Sequence, residues 1–299
     1  MSSYAIRPLA ENEFPPLLAE IPEQSKTLWA AGTLPAPELT LIAVVGSRHH
    51  TTYGKQVVEH LISGLAGYPI GIVSGLALGM DALAHEAALA NGLYTLAVPG
   101  SGLDESVLYP RSNRRLARKI LDAGGGLLSE LAPTSPAALW TFPRRNRIMA
   151  GMCHATLLIE AGEKSGTLIT ARLAADYNRE LMVVPGSIFS PTSRGTHQFL
   201  KLGATPVTEI SDILDALRLD SLPTTGHTSI PLSPEAIQVL SHLREPLDRD
   251  TLIHHLAMPV SAASSLLMQV ELEGHISNDG GIYTATTSID ARDDKTTLF

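Results

Sequence analysis

Three short apolar runs in this chain end in glycine-bearing turns: Val44-Val45-Gly46-Ser47-Arg48, Ile72-Val73-Ser74-Gly75, and the stretch from Glu160 to Thr167, EAGEKSGT. Each run is followed by a helix-like pattern. A strand buried on both faces needs a continuous apolar run, and a helix between two such runs is the crossover that lets them lie parallel. The chain is thereby constrained to an α/β fold, a doubly wound and mostly parallel sheet. Backbone N–H groups and helix N-termini gather at one edge of such a sheet, and that edge suits anions.

The same alternation continues along the chain. The strand candidates are Leu41 to Val45, Ile70 to Ser74, Tyr94 to Val98, Gly126 to Ser129, Ala155 to Glu160 and Leu181 to Val184. Between them lie helix candidates at Tyr53 to Ala66, Met80 to Ala90, Arg111 to Asp122, Arg144 to Met152 and Thr167 to Tyr177. One domain is expected over residues 40–218. It is preceded by an extended, proline-bearing lead-in over 1–39, with a short strand near Thr27 to Ala30. Residues 219–230, LDSLPTTGHTSI, are polar and turn-rich and read as a linker. Over 231–287 three helix patterns follow: Ser233 to Leu243 with Ser233 as N-cap, Asp248 to Leu256, and Ser261 to Glu273. The turn Asp279-Gly280-Gly281 then leads into Ile282-Tyr283-Thr284-Ala285, so three helices and a hairpin describe a winged helix. Residues 288–299 read as a solvated tail. There is no internal repeat.

The 299 residues are 44% hydrophobic and 17% charged, which supports real cores and excludes wholesale disorder. The lone Cys153 excludes a disulfide framework and a cysteine-rich zinc cluster. No apolar run approaches the roughly 18 residues of a membrane span, and the first residues, MSSYAIRPLAENEF, do not form a signal peptide. A reducing, cytoplasmic setting is expected, with no membrane contact. The net charge of −8 argues at first against a nucleic-acid partner, but residues 40–218 hold 16 Lys/Arg against 14 Asp/Glu. Within them the basic residues cluster at Arg111 to Lys119 and Arg144 to Arg147, and a local patch can bind phosphate on an acidic molecule.

Gly46-Ser47-Arg48 combines close backbone approach, a hydroxyl donor and a planar fork for phosphate oxygens, although a plain βα turn with a surface arginine has the same letters. Gly54-Lys55 is not a nucleotide-hydrolysing P-loop, because seven residues separate Gly46 from Gly54 and Gln56 follows the lysine. Gly75-Leu76-Ala77-Leu78-Gly79 lacks the first glycine pair of a dinucleotide fingerprint, which argues against an NAD enzyme. Asp81 and His85 stand four apart on a helix; no third metal ligand has suitable spacing, so an Asp–His hydrogen bond pinning the helix is the preferred reading. Trp140-Thr141-Phe142-Pro143-Arg144-Arg145-Asn146-Arg147 sets an aromatic ring beside guanidinium groups, as single-stranded nucleic acid requires, or else forms a solvated basic helix start. Its position just before the strand that leads to Lys164, Ser165, Gly166 and Thr167 favours the former.

VVGSRHHTTYG, IVSGLALGMDALAHEAAL, the Tyr109-Pro110 pair, LLSE, FPRRNRIMAG, EAGEKSGTLITARLA and VVPGS occur in this order, and together they resemble the DprA (Smf) family of DNA-processing proteins over residues 20–217. The terminal segment resembles the winged-helix domain that many members carry. The resemblance implies a Rossmann-like core that binds single-stranded DNA, forms a homodimer, and loads the RecA recombinase in natural transformation or homologous recombination, protecting the strand without making or breaking bonds. By motif matching its DNA pocket would use Gly46, Ser47, Arg48, Phe142, Arg144, Asn146, Arg147, Lys164, Ser165, Gly166 and Thr167, with no cofactor and no metal. Members often begin with a helical domain of the SAM or helix-hairpin-helix type, which this chain is expected to lack. The helix at Ser261 to Glu273 carries Glu271 and Glu273 and no Lys or Arg, so it is expected to meet protein or a second copy of itself and not DNA. Two other classes remain. The glycine-rich strand ends also resemble LOG-type nucleotide phosphoribohydrolases, in which Glu160 or Glu163 would act, though Lys164-Ser165-Gly166-Thr167 lacks the double glycine of that group. A pure protein-interaction scaffold is the third, and the arginine patch opposes it.

Overall fold

Two short strands, β1 (Ile6–Pro8) and β2 (Trp29–Gly32), precede the first long apolar one, β3 (Thr40–Val45). Then come α1 (Thr52–Gly64), β4 (Ile70–Ser74), α2 (Met80–Ala90), β5 (Tyr94–Ala97), α3 (Arg114–Asp122), β6 (Gly126–Ser129), α4 (Thr141–Met152) and β7 (Ala155–Leu158). The first unit closes with α5 (Thr167–Asp176), β8 (Glu180–Val183), α6 (Arg194–Lys201), β9 (Thr205–Pro206) and α7 (Ile210–Ala216). This computed structural model describes residues 4–219, 233–243 and 245–285, in two units, Met1–Leu222 and Pro223–Phe299.

The first unit is an α/β domain around a nine-stranded, mostly parallel sheet of order β1-β2-β6-β5-β4-β3-β7-β8-β9. All pairs from β6 to β9 are parallel, while β2 joins β6 and β1 joins β2 antiparallel. Alternate residues of β3 feed opposite cores: Ile42 and Val44 pack with Val58, Leu61 and Ile62 of α1, whereas Leu41, Ala43 and Val45 pack with Ile148 and Met149 of α4. This period of two, apolar on both sides, is why the strand reads as an unbroken apolar run. Thr51 starts α1 by accepting from the Gly54 N–H at 3.0 Å, the usual N-cap bond.

The lead-in is more than extended chain. Leu9, Leu18, Ile21 and Leu28 are buried in the core beneath α4, and Trp29–Gly32 covers the β6 edge of the sheet. α4 begins three residues earlier than the charge pattern suggests, because Pro143 falls in its first turn, where a missing N–H costs nothing. The expected strand at Ala155 to Glu160 ends at Leu158.

The second unit is a winged helix: α8 (Pro234–His242), β10 (Leu247–Asp248), α9 (Arg249–Leu256), α10 (Val260–Leu272), and the hairpin β11 (Ile276–Asp279) and β12 (Ile282–Ala285). Ser233 and Asp248 cap α8 and α9 by accepting from Ala236 and Thr251 N–H. Val239, Leu252, Leu267, Val270 and Tyr283 form its own core. β10 pairs with β12 and completes a three-stranded sheet. Residues 220–232, which include nearly all of the expected linker, and the expected tail at 288–299 lie outside the described residues. Among the described residues no single helix is long and apolar enough to cross a membrane.

Candidate functional site

Neighbouring strands β3 and β7 send their following helices to opposite faces: α1 lies over Ile42 and Val44, whereas α5 places Leu168 and Ala171 in the other core. Such a switch in winding leaves a crevice beyond the carboxyl ends of the two strands. Here it is a cleft of about 370 Å³, bounded by the Gly46 turn and by the first turns of α4 and α5. Gly46, Arg48, Phe142, Asn146, Ser165, Gly166 and Thr167 all line it. Two helix N-termini and a glycine turn therefore face one space, which favours negative charge.

The turn after β3 is held from several sides. Ser47 Oγ accepts from the His49 N–H at 3.1 Å and donates to the His49 carbonyl at 2.8 Å, so this hydroxyl closes the turn. The Met80 N–H donates to the Ser47 carbonyl at 3.0 Å, and Gly79, at φ +75°, lies against the Ser47 and Arg48 backbone where a Cβ would collide. Thr167 Oγ1 donates to the Gly46 carbonyl at 2.9 Å and ties α5 to β3. Among the described residues the amides of Ser47, Arg48 and Gly166 have no protein partner. The Arg48 guanidinium is 5.4 Å from the Phe142 ring centroid, a cation–π distance, and is exposed. The Phe142 ring packs over Gly100, where any side chain would strike it.

Arg145, absent from the expected set, lines the cleft. It is buried, donates from Nη1 to the carbonyls of Gly75 and Val98, and occupies the space that a Cβ on Gly75 would need. Asp81 also lines the cleft and accepts from the Gly75 and Ala77 N–H groups at 3.1 and 3.4 Å. Burial pushes the Asp81 carboxyl up and Arg145 opposes this; burial pulls the Arg145 guanidinium down and Asp81 opposes that. The expected Asp81–His85 bond is absent. Thr95 Oγ1 donates to the Ile72 carbonyl at 2.9 Å and therefore receives the His85 Nδ1 proton at 2.7 Å, which leaves His85 Nε2 buried and unpartnered. Among the described residues no group of three His, Cys, Asp or Glu side chains could hold a metal ion.

Ser47, Arg144, Arg147 and Lys164 are not among the residues that line the cleft. Arg144 and Arg147 both pair with Glu130, and Arg147, 6% exposed, also donates to the Glu23 carbonyl of the lead-in. At 100° per residue, Phe142, Arg145, Asn146 and Met149 share one helical face and Arg144, Arg147 and Gly151 another. A sequence reading that started the helix at Thr141 would have separated the two sets. Lys164 is exposed in the turn from Gly162 to Ser165 that leads into the cleft wall. Glu160 is 3% exposed; it accepts from the Thr51 N–H at 3.0 Å and the Thr51 hydroxyl at 2.5 Å, and it does not line the cleft. Glu163, the other candidate of that reading, is exposed and does not line the cleft either. Gly79, Asp81 and Arg145 were missed as site components because their contribution is geometric, and only the folded backbone shows it.

The family described as DNA recombination-mediator protein A matches residues 5–218, and the DprA winged helix domain matches residues 223–281. Protein Smf of Escherichia coli strain K12 is 37% identical over 285 residues, which span 92% of this chain and 75% of that protein. The DNA processing protein DprA of Streptococcus pneumoniae is 41% identical over 197 residues, 66% of this chain and 68% of that protein. An X-ray structure of the S. pneumoniae protein superposes with a TM-score of 0.66 over 74% of this chain and 76% of its own, at 37% identity. DNA processing protein A of Helicobacter pylori, whose structure is described in terms of its single-stranded DNA binding mode, superposes with a TM-score of 0.65 over 73% of this chain and 98% of its own, at 29% identity.

Proposed function

The chain belongs to the DNA recombination-mediator protein A family, and from that premise we propose that its switch-point cleft binds single-stranded DNA and that the protein, as a homodimer, protects the strand and loads RecA onto it during natural transformation or homologous recombination. The observation that carries this reading is the convergence on one cleft of the Gly46–Arg48 turn, Asn146 and Ser165–Thr167, beside the Phe142 ring. Unpartnered amides and two helix N-termini receive phosphate oxygens, Arg48 supplies countercharge with Lys164 at the approach, and Phe142 offers a surface to a base. Ser47 contributes its backbone N–H, since its hydroxyl closes the turn. Arg144 and Arg147 support this wall through Glu130 and the lead-in. No step in this role breaks a bond. It is exercised in the cytoplasm, where RecA and incoming strands meet.

Fluorescence anisotropy of a labelled thymine oligomer at two salt concentrations tests the binding. Affinity should fall steeply with salt and depend little on base sequence, because phosphate neutralisation releases counterions. Salt-independent or absent binding would overturn the reading. Recovery of RecA with the immobilised protein only when single-stranded DNA is present tests the loading step separately.

A further inference from the structure

Trp140 stands immediately before α4 and does not line the cleft. It is 59% exposed, and Leu139 beside it is 90% exposed. The backbone that carries them is fixed. Buried Thr141 donates its N–H to the Ala138 carbonyl at 3.0 Å, accepts from the Ala138 N–H at 3.1 Å, and donates its hydroxyl to the Gly100 carbonyl at 2.5 Å. Arg144, one helical turn on, lies over the Trp140 ring at 6.0 Å from its centroid and is anchored there by its ion pair with Glu130. The Arg144 side chain is 52% exposed, whereas that of Glu130 is 5% exposed. Residues 131–159 hold three arginines and no Asp or Glu, so no carboxylate of this stretch opposes an anion.

An exposed indole on a rigid turn, with a cation over one face, has the form of a stacking platform rather than of a pocket. Phe142 lines the cleft and Trp140 lies outside it at the same helix start, so a strand that leaves the cleft across the first turn of α4 meets the Trp140 ring next. We propose that Trp140, propped by Arg144, is a second and separate platform, which stacks a base of the single strand beyond the cleft. The assignment rests on the single-stranded DNA reading of the cleft and adds to it a course for the strand outside that cleft. It also gives Arg144, which α4 turns away from the cleft, a positioning task in the same binding: Glu130 holds its guanidinium, and the guanidinium holds the ring. Every base offers a π-face, so the platform is indifferent to sequence, whereas a duplex keeps those faces in its own stack.

The chain has two tryptophans, so Trp29→Phe in the full chain leaves Trp140 as the only indole reporter. Its emission should be quenched by a saturating thymine oligomer and left unchanged by an abasic oligomer of the same length, although anisotropy shows both to bind. Trp140→Ala in the parent chain should weaken thymine binding about tenfold, as removal of one stacking ring does, and leave the abasic affinity unchanged. Trp140→Phe should keep most of the affinity. Equal quenching by the two oligomers, no quenching by thymine, or equal losses on both oligomers would overturn the platform, and the emission readout stands even where Trp140→Ala folds poorly. Emission that shifts with protein concentration in the absence of DNA would give this surface to a second copy of the chain and overturn the platform as well. Arg48→Ala, weakened on both oligomers, upholds the cleft even where the platform fails. If the parent chain binds neither oligomer, the cleft reading falls and the platform with it.

Discussion

Arg48 and Arg147 both come from arginine-bearing motifs, but their surroundings set them opposite tasks. Arg48 is exposed over Phe142, so on the proposed reading its loss removes a phosphate contact and little else. Arg48→Ala should lower thymine-oligomer affinity at least tenfold and reduce the salt slope by about 0.7, one phosphate's share on a single strand, with an unchanged melting temperature. Arg147 holds Glu130 and the lead-in from inside the protein. Arg147→Ala leaves a buried carboxylate short of a partner and should cost about 3 kcal/mol in urea unfolding, while DNA affinity measured on the folded fraction stays close to the parent's. His85 gives the pH dependence. Burial lowers its folded pKa from 6.5 to about 3, so between those values the unfolded chain binds a proton that the folded chain refuses. Stability is unaffected by this group above pH 6.5 and falls as pH drops toward 3, by about 2 kcal/mol at pH 5. His85→Gln should flatten that acid limb in urea midpoints compared at pH 7 and pH 5; an equally steep decline in the variant would contradict the assignment.

The site is built from element ends, and the decisive contacts between those ends have no side chain on one partner. Gly79 opens α2 at φ +75° directly against the Ser47–Arg48 backbone, and Gly75 makes room for the Arg145 guanidinium. Gly79→Ala should displace the Arg48 turn and cut thymine-oligomer affinity about as deeply as Arg48→Ala, with a lowered melting temperature that Arg48→Ala does not share. An unchanged affinity in Gly79→Ala would show that the turn holds its shape without this buttress. The strands were legible because a doubly covered parallel sheet demands unbroken apolar runs, and α2, from Met80 to Ala90, was read to the residue. α6 and α7 escaped notice: each is only two turns long, and too few residues repeat to show a period. β2 escaped in part because Trp29-Ala30-Ala31-Gly32 owes its strand to pairing with β6 rather than to propensity. The convergence of Gly46, Phe142 and Thr167 was legible from motif order. The rotation that turns Arg144 and Arg147 from the cleft required the start of α4, which the charge run obscured.

For the molecule as a whole, the placement of charge decides what each unit can bind. The first unit sets Arg48, Arg145 and two helix N-termini about one cleft, whereas residues 227–299 hold 4 Lys/Arg against 10 Asp/Glu. α10, in the place of a recognition helix, runs Val260–Leu272 without a lysine or arginine, and leaves Val260, Met268 and Leu272 exposed along one face at multiples of four residues. A duplex presents one negative charge every 1.7 Å or so, and a helix that neutralises none of it gains no counterion release on docking. Each unit also has its own core, since Val239, Leu252, Leu267 and Tyr283 pack among residues of the second unit alone. Residues 1–222 should therefore bind the thymine oligomer within about threefold of the full chain and with the same salt slope, because the phosphates they neutralise are unchanged. The full chain should show no gain on duplex over single strands of equal length. Placing Lys at Ser261, Ser265 and Met268 supplies the missing cations and should raise duplex affinity in a salt-dependent way; a truncation that loses single-strand binding tenfold would instead make the second unit a partner in the site.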